Sequence, residues 1–361
     1  MRFFITVLVL GATDLVNGHP DLAKKLAEAA RAQDKLATRS TALLGDLLHT
    51  VESALTVTGF EIKSILNGTR SAFADAATYD PPPKDSDDCR RDTCCIWQYI
   101  ANDMVDAFYE GEECSALARG AIRLGFHDAG AWSSDLSFGG ADGSILLSNE
   151  MLRSENAGLE GIASQMFQWK EEYEAYNVSM ADMIQFGAMV ATTACPGGPR
   201  IRFFVGREDS TRAAPTGLMP SPFQTAEALI DLFQAKTFTG ADLIALVGAH
   251  SVSQQFFVDQ KQAGASQDTT AGIWDNNFYT ETVDPETPSG VFKFPSDLNL
   301  ASSPETSSTW NQFTGPAGQD NWSRAYAPAY FRMSLLGVNN INALTDCTKT
   351  LPPTRAIPRR R

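Results

Sequence analysis

The sequence is short of histidine, of basic charge and of long apolar runs. Only four of its 361 residues are histidines, and no His-Glu-x-x-His motif is present, so a histidine-metal hydrolase is not favoured. Lysine and arginine number 29 against 43 acidic residues, a formal net charge of −14. This balance argues against a nucleic-acid partner, because phosphate binding needs clustered positive charge. The strongest apolar run, residues 3–10, is too short to cross a bilayer, so no membrane partner is expected.

Several weak signals together predict a secreted, extracellular protein. The apolar run follows Met1-Arg2 and suits a signal peptide, expected over residues 1–18 with an indistinct cleavage site. The six cysteines are an even number, as in oxidised secreted proteins, although the residues alone leave their pairing open. Three glycosylation sequons agree with this route: Asn67, Asn177 and Asn321.

The chain divides into an N-terminal extension and a main domain. Residues 19–88 form the extension, where Leu22 to Ala30 has an amphipathic helical spacing and Pro81-Pro82-Pro83 indicates a linker. The main domain is expected over residues 89–361. A propeptide, a partner-binding helix, a tether and a solvated linker are all open interpretations of the extension.

The main domain is predicted to be mostly α. Ser179-x-x-Asp182 and Thr239-x-x-Asp242 resemble capping boxes at helix starts. Strand-like runs such as residues 201–206 are brief. Apolar periodicity predicts helices over residues 96–109, 114–127, 159–176, 180–194, 222–234, 241–252 and 324–336.

The first of two histidine motifs combines a base, a cation and an oxygen-rich loop. Arg123 and His127 are four residues apart, so on a helix their side chains share one face, which suits proton transfer and charge stabilisation during peroxide cleavage. The loop that follows favours calcium, and an ordinary turn is an equally good interpretation of it. Its candidate ligands are Asp128, Gly140, Asp142 and Ser144.

The second motif repeats this combination around another histidine. His250 lies near the end of a predicted helix, where its ring can serve as an axial ligand of heme iron. A second oxygen-rich series begins at the next residue, and two such combinations are much less probable by accident than one. Its candidate calcium ligands are Ser251, Asp268, Thr270, Ile273 and Asp275.

With both motifs in view, residues 89–361 resemble a fungal class II secreted heme peroxidase of the plant-peroxidase superfamily. The resemblance implies a two-lobed, all-helical fold with heme b between a distal and a proximal lobe. Attachment is expected to be non-covalent, because Cys-x-x-Cys-His is missing. It also implies roles for six residues: Arg123 and His127 as the distal pair, Phe126 as a lining residue, Asn156 as the orienter of His127, His250 as the proximal ligand, and Asp297 as the carboxylate bonded to that ligand.

The resemblance further implies three disulfides, two bound Ca²⁺ ions and a monomer. Glu150 fits the same distal network as Asn156. The implied disulfide pairs are Cys89 with Cys95, Cys94 with Cys347, and Cys114 with Cys195.

The implied activity is hydrogen-peroxide-dependent oxidation through an oxyferryl state. Small phenolic or similar aromatic donors are expected to react at the exposed heme edge, near residues 220–222. The alternative is a secreted, calcium-stabilised binding protein that keeps the fold without catalysis. Peroxide turnover discriminates between the two.

Several positions depart from the lignin-active members of the family. The positions of three manganese-binding carboxylates hold Ala116, Gly120 and Phe256, and that of a surface tryptophan holds Ala245, so a generic, low-redox type is expected. Two proximal substitutions complete the set and keep the non-catalytic alternative open: Phe257 in place of a propionate-contacting aspartate, and Gln267 in place of an aromatic residue.

Overall fold

A computed structural model describes residues 39–358. The predicted signal peptide and the amphipathic segment from Leu22 to Ala30 lie outside the described residues. The α-helices of the described chain are α1 Val57–Leu66, α2 Asp87–Arg91, α3 Cys95–Phe108, α4 Ala116–Ala129, α5 Ser144–Leu147, α6 Glu160–Glu172, α7 Met180–Ala194, α8 Ala226–Ala235, α9 Gly240–Val247, α10 Asn277–Val283, α11 Pro295–Ser302, α12 Ser307–Gln312 and α13 Gly318–Met333.

Short 3₁₀ helices and two small strand pairs complete the described secondary structure. β1 Tyr109–Glu110 pairs antiparallel with β2 Glu113–Cys114, and β3 Phe204–Val205 pairs antiparallel with β4 Thr345–Asp346. The mostly α fold predicted from the sequence is therefore confirmed. The 3₁₀ helices span Gly45–Leu48, Glu52–Ala54, Glu150–Leu152, Ser154–Asn156, Glu174–Tyr176, Gly248–Val252, Gln260–Gln262, Ile341–Ala343 and Thr348–Thr350.

Helix α7 has the predicted bounds, whereas the other six predicted helices differ at both ends, most at α13, which begins at Gly318 and not at residue 324. The helix predicted from residue 222 begins at Ala226, because the Thr225 side chain accepts the Ala228 amide hydrogen bond and caps the helix there. The helix predicted over residues 241–252 ends as an α-helix at Val247 and continues as a 3₁₀ turn, Gly248–Val252, which carries His250.

One of the two predicted capping boxes is complete. Thr239 and Asp242 bond each other's backbone amides at the start of α9. At α7 only half of the motif forms: Ser179 accepts from the Asp182 amide, but the Asp182 carboxylate turns away. It accepts instead from the Gly206 amide at 2.6 Å and from the Arg207 guanidinium at 2.8 Å, so a buried ion pair replaces the second half of the box.

The distal helix α4 crosses α7 at short range in the centre of the core. A Cβ on Gly125 would come within 2.6 Å of the Ala188 Cβ and of the Tyr330 hydroxyl, so only glycine fits this crossing. All fifteen residues of α7 are buried. The buried crossing fixes the helix that carries Arg123 and His127.

The described part of the N-terminal extension packs on the helical core. Leu44 and Leu47 are 2% exposed and belong to the main hydrophobic cluster. Arg332 on α13 donates to the Ala42 carbonyl at 2.8 Å, and the Thr56 amide donates to the Asn342 side-chain oxygen at 2.9 Å. These contacts hold residues 39–66 against the rest of the protein.

Three disulfides have the pairing that the family resemblance implies: Cys89–Cys95, Cys94–Cys347 and Cys114–Cys195. The bond between Cys94 and Cys347 joins the start of the main domain to its last strand pair. No helix within residues 39–358 is both long and apolar enough to span a membrane.

Candidate active site

The distal histidine is held by an amide. His127 lies on α4, and its Nδ1 is 2.7 Å from the Oδ1 of Asn156. The Asn156 amide nitrogen donates to the Glu150 carbonyl at 2.9 Å, and Asn156 is 3% exposed. Because the Asn156 oxygen only accepts, it selects the tautomer with hydrogen on Nδ1 and leaves Nε2 as a free base.

The surroundings of His127 keep its ring neutral. Desolvation, followed by the positive charge of Arg123, lowers the pKa of His127 to about 3, and the hydrogen bond to Asn156 opposes this only partly. A neutral imidazole with a free Nε2 can accept a proton at ordinary pH.

Arg123 holds the loop that carries Asn156. Its two terminal nitrogens donate to the Glu155 and Ala157 carbonyls, each at 2.8 Å. These carbonyls flank Asn156 on both sides. Arg123 therefore places positive charge near His127 and also fixes the backbone of the residue that orients it.

Glu150 anchors the other end of this loop. Its carboxylate is 1% exposed, accepts from the Ala214 amide at 2.8 Å and pairs with Arg153 at 3.0 Å. Arg153 was not predicted as part of the site. Its position, three residues after Glu150 and three before Asn156, is the sequence signal for this ion pair.

The proximal histidine is held by a carboxylate. His250 Nδ1 lies 3.0 Å from Asp297 Oδ2. Asp297 is 1% exposed and lies in the first turn of α11. The His250 side chain is 35% exposed, so the side of the ring away from Asp297 is accessible. A buried carboxylate on Nδ1 fixes the orientation of the ring and leaves Nε2 to bind a metal, an arrangement common in metal-binding histidines.

Two phenylalanines enclose the His250 ring and were not predicted. Phe294 lies 5.3 Å and Phe278 5.7 Å from it, centre to centre, both edge to face. On the distal side, the predicted lining residue Phe126 lies 5.8 Å from His127 and stacks on Phe233. Phe294 directly precedes Pro295-Ser296-Asp297, and that proximity is the signal that identifies it.

The candidate calcium ligands after His127 include a buried oxygen without a partner. Asp128 Oδ2 accepts from the Gly143 amide at 3.2 Å, whereas its Oδ1 has no hydrogen bond in the described structure. Asp142 accepts from the Ser144 amide at 3.0 Å. Burial, followed by repulsion from Asp142, raises the pKa of Asp128 well above its usual value. A bound cation would satisfy the free oxygen and offset this repulsion.

The second candidate set has two such oxygens. Ser251 Oγ and Asp268 Oδ2 are buried without hydrogen-bond partners in the described structure. Thr270 donates to Asp275 at 3.1 Å, and the Ile273 amide donates to the Thr270 carbonyl at 2.7 Å, which draws this loop together. Burial raises the pKa of Asp268 to about 8, again the environment of an acidic group that needs a cation.

Neither set depends on a dense cluster of acidic or imidazole ligands. Among residues 39–358, no group of three or more His, Cys, Asp and Glu side chains is placed to hold a metal. Hydroxyl and carbonyl oxygens would have to supply the remaining ligands, a mixture that Ca²⁺ accepts and that Zn²⁺ does not prefer.

The two substitutions expected near the proximal side have different environments. Phe257 is 59% exposed, and a Cβ on Gly158 would lie 2.8 Å from its ring, so the ring lies against the distal loop that Arg123 holds. Gln267 is 1% exposed; its Oε1 accepts from the Ser253 hydroxyl, and its Nε2 has no partner in the described structure.

The residues present fit a heme iron. Each of the two histidines uses Nδ1 for a protein partner and keeps Nε2 available, one beside an arginine and the other on a buried carboxylate. His250 would bind the iron, and Phe126, Phe278 and Phe294 would contribute apolar walls.

Comparisons with known proteins agree with this site. A family model described as "Peroxidase" matches residues 100–315. A peroxidase of Arthromyces ramosus is 31% identical over 282 residues, 72% of this chain and 76% of the relative. The ligninase LG6 of Phanerodontia chrysosporium is 32% identical over 288 residues, 73% and 76% of the two chains. A peroxidase of Coprinopsis cinerea is 31% identical over 282 residues, 72% and 76%. The chain belongs to the peroxidase family, among the fungal class II heme peroxidases, and is a heme-dependent oxidoreductase.

Proposed function

We propose that this peroxidase uses hydrogen peroxide to oxidise small phenolic donors at the heme edge, without a manganese or surface-tryptophan site. The observation that carries the proposal is that the site has two histidines with different hydrogen-bond partners: His127 bonds an amide, and His250 bonds a carboxylate. Bound heme supplies the redox chemistry. The non-catalytic alternative is not favoured, because both histidines and their partners are in place.

On the distal side, His127 moves the proton of peroxide. Its free Nε2 takes the proton from one peroxide oxygen and returns it to the other, which leaves as water. The Asn156 oxygen stabilises the positive ring while it holds the proton. The Arg123 charge favours prompt release of that proton and stabilises negative charge on the departing oxygen.

On the proximal side, Asp297 makes His250 a more electron-rich ligand. The carboxylate accepts the Nδ1 hydrogen in a buried setting, where charge-assisted hydrogen bonds are strong. An electron-rich imidazole favours higher oxidation states of a metal that it binds. The two sides therefore have separate tasks, proton transfer at His127 and metal support at His250.

The proposed donor class rests on the residues at the positions that the family resemblance assigns to manganese and heme-propionate contacts. Two of them, Phe256 and Phe257, are 50% and 59% exposed and present apolar rings there. Ala116 and Gly120 have no side-chain oxygen to offer Mn²⁺. A neutral phenol suits such a surface better than a hydrated dication.

Donor competition tests this proposal. Heme-loaded protein and peroxide are given a phenol alone, Mn²⁺ with a chelating acid alone, or both together, and the products are followed by absorbance. We expect phenol oxidation at a rate that Mn²⁺ does not change. Saturable formation of the Mn³⁺ chelate would contradict the proposed donor class, while the assignment as a heme peroxidase would stand.

We also propose that both oxygen-rich loops bind Ca²⁺. The three unpartnered buried oxygens support this: Asp128 Oδ1, Ser251 Oγ and Asp268 Oδ2. Metal analysis of dialysed protein should find about two calcium ions per chain, and a chelator should lower the melting temperature. A calcium-free protein with unchanged melting would overturn both sites.

The protein is further proposed to be a secreted monomer. The three sequon asparagines Asn67, Asn177 and Asn321 are all exposed, as glycosylation requires, and all six cysteines are in disulfides, which suits an oxidising compartment. Expression in a secreting host, with glycosidase treatment and light scattering of the medium fraction, checks location, glycans and oligomeric state together.

A further inference from the structure

A continuous series of aromatic rings leads from His250 into the interior. Phe278 lies 5.7 Å from His250, Tyr279 lies 5.2 Å from Phe278, and Trp322 lies 5.7 Å from Tyr279, all measured between ring centres. Each neighbouring pair meets edge to face, in the contact range of aromatic side chains. The rings therefore form an unbroken path from the proximal ligand.

The path reaches two stacked indoles. Trp322 and Trp274 are parallel within 6°, with ring centres 5.0 Å apart, and both are fully buried. Tyr326 meets Trp274 edge to face at 4.8 Å. Among side chains without sulfur, indole loses an electron most easily when no proton is lost with it. Two stacked indoles share the resulting positive charge and stabilise it better than one.

The indole pair is also joined directly to the segment that carries His250. The Trp322 Nε1 donates to the Ala245 carbonyl on α9 at 2.8 Å. A Cβ on Gly248, two residues before His250, would lie 2.4 Å from that same Nε1 and 2.3 Å from the Tyr279 hydroxyl. Glycine at this position thus lets both rings approach the backbone next to the proximal histidine.

Packing alone does not account for Trp274. Its Nε1 is buried without a hydrogen-bond partner in the described structure, which costs stability that phenylalanine would not cost. Trp322 bonds a carbonyl, and a carbonyl does not take up a proton. An oxidised indole here would keep its N–H hydrogen, so that only an electron has to move.

We propose that the Trp274–Trp322 stack is an internal electron donor to the oxidised heme, used when no external donor is bound. Peroxide removes two electrons from the loaded protein, and the stack returns one of them. This leaves a tryptophan cation radical and a heme one electron above its resting state. In this transfer of one electron from the stack, no bond forms or breaks and no proton moves. A later external donor reduces the radical by one electron, which restores the indole.

The inference rests on the proposed heme site, and its test separates the two. Protein labelled with ring-deuterated tryptophan is mixed with one equivalent of peroxide without donor, frozen within milliseconds and examined by electron paramagnetic resonance beside the Soret spectrum. We expect an organic radical signal that narrows on tryptophan deuteration and is lost in Trp322→Phe and in Trp274→Phe.

Trp169→Phe is the matched control. Trp169 is also buried, at 4% exposure, but its ring contacts Phe108 and belongs neither to the stack nor to the path from His250, so its replacement should leave the signal intact. If Trp322→Phe does not fold, Trp274→Phe provides the same test, because it removes the indole that lacks a hydrogen bond.

Three outcomes overturn the inference. A Soret band that responds to peroxide without any tryptophan radical sinks it and leaves the heme site standing. A radical unaffected by both stack substitutions places the oxidised residue elsewhere. A Soret band that ignores peroxide overturns the proposed heme chemistry together with the inference.

Discussion

The distal and proximal halves use the same side chain with different partners. His127 donates from Nδ1 to the neutral oxygen of Asn156 and has an arginine nearby, whereas His250 is bonded to the buried carboxylate of Asp297. An amide and a cation keep an imidazole ready to accept a proton, and a carboxylate makes it a strong ligand. The partner on Nδ1, more than the histidine itself, thus decides the task.

Replacing the proximal ligand is expected to have the largest effect. His250→Ala removes the nitrogen proposed to bind iron, so reconstituted protein should lose stable heme, measured as Soret absorbance per protein. The exposed His49 supplies the control, since His49→Ala should bind heme normally. Full heme content in His250→Ala would show that the iron has another ligand.

Replacing the distal base should preserve heme and slow its reaction. His127→Leu retains bulk but cannot transfer a proton, so the rate with peroxide should fall by about 10²–10⁴-fold, as for loss of a general acid-base group. Stopped-flow absorbance measures this rate. Asn156→Ala should give a smaller loss, because the imidazole remains but is no longer held. Wild-type rates in His127→Leu would assign proton transfer to another group.

Giving the proximal side a distal-type partner tests the comparison directly. Asp297→Asn replaces the carboxylate by an amide of the same shape, and heme affinity or peroxide activity should fall by about 10–100-fold. The reduction potential of the loaded protein should rise, because the ligand donates less electron density. Spectroelectrochemistry checks the direction. An unchanged potential would mean that the Asp297 bond only positions the ring.

The smallest expected effect is on the pH dependence of stability, and it comes from Lys236, a buried amine without a carboxylate partner. Lys236 is fully buried and donates only to the Trp132 carbonyl at 2.8 Å, and desolvation lowers its pKa from 10.5 to about 8. Between these values the unfolded chain binds more protons than the folded one, so stability rises with pH. Below pH 8 Lys236 is protonated in the folded protein as well, and its burial then lowers the free energy of unfolding by the full amount, about 3 kcal/mol.

Lys236→Met removes this pH dependence. The variant loses one hydrogen bond at every pH, but its stability relative to wild type should be greatest near pH 7 and should fall by about 3 kcal/mol by pH 10.5. Denaturant unfolding at several pH values measures the difference. The exposed Lys261 is the matched position, and Lys261→Met should show no such trend. A flat profile for Lys236→Met would mean that Lys236 stays protonated when buried.

Much of the fold was predictable because long amphipathic helices have a clear period. Helix α7 agrees at both ends, and Ser179 marks its start. The seven-residue helix α10 and the six-residue α12 were missed, since two turns or fewer give too little periodicity to detect. Asp182 was read as a cap, whereas its bond to Arg207 joins residues far apart in the chain and has no local signal.

The site was predictable where its residues lie in short motifs. His127, Asn156, His250 and Asp297 could be proposed from the sequence, and the structure brings each histidine to the partner that the resemblance implied. Their bond lengths could not be proposed, because folding alone brings together residues 29 and 47 positions apart. The Trp274–Trp322 stack likewise brings together two residues that lie far apart in the chain, and isolated tryptophans in a sequence give no sign of such pairing.

The most direct measurement is the visible spectrum of purified, heme-loaded protein before and after one equivalent of hydrogen peroxide, followed by a phenol. The account predicts a Soret band that shifts with peroxide and returns when the phenol is added. Heme that binds through His250 but does not respond to peroxide would contradict the assignment of proton transfer to His127.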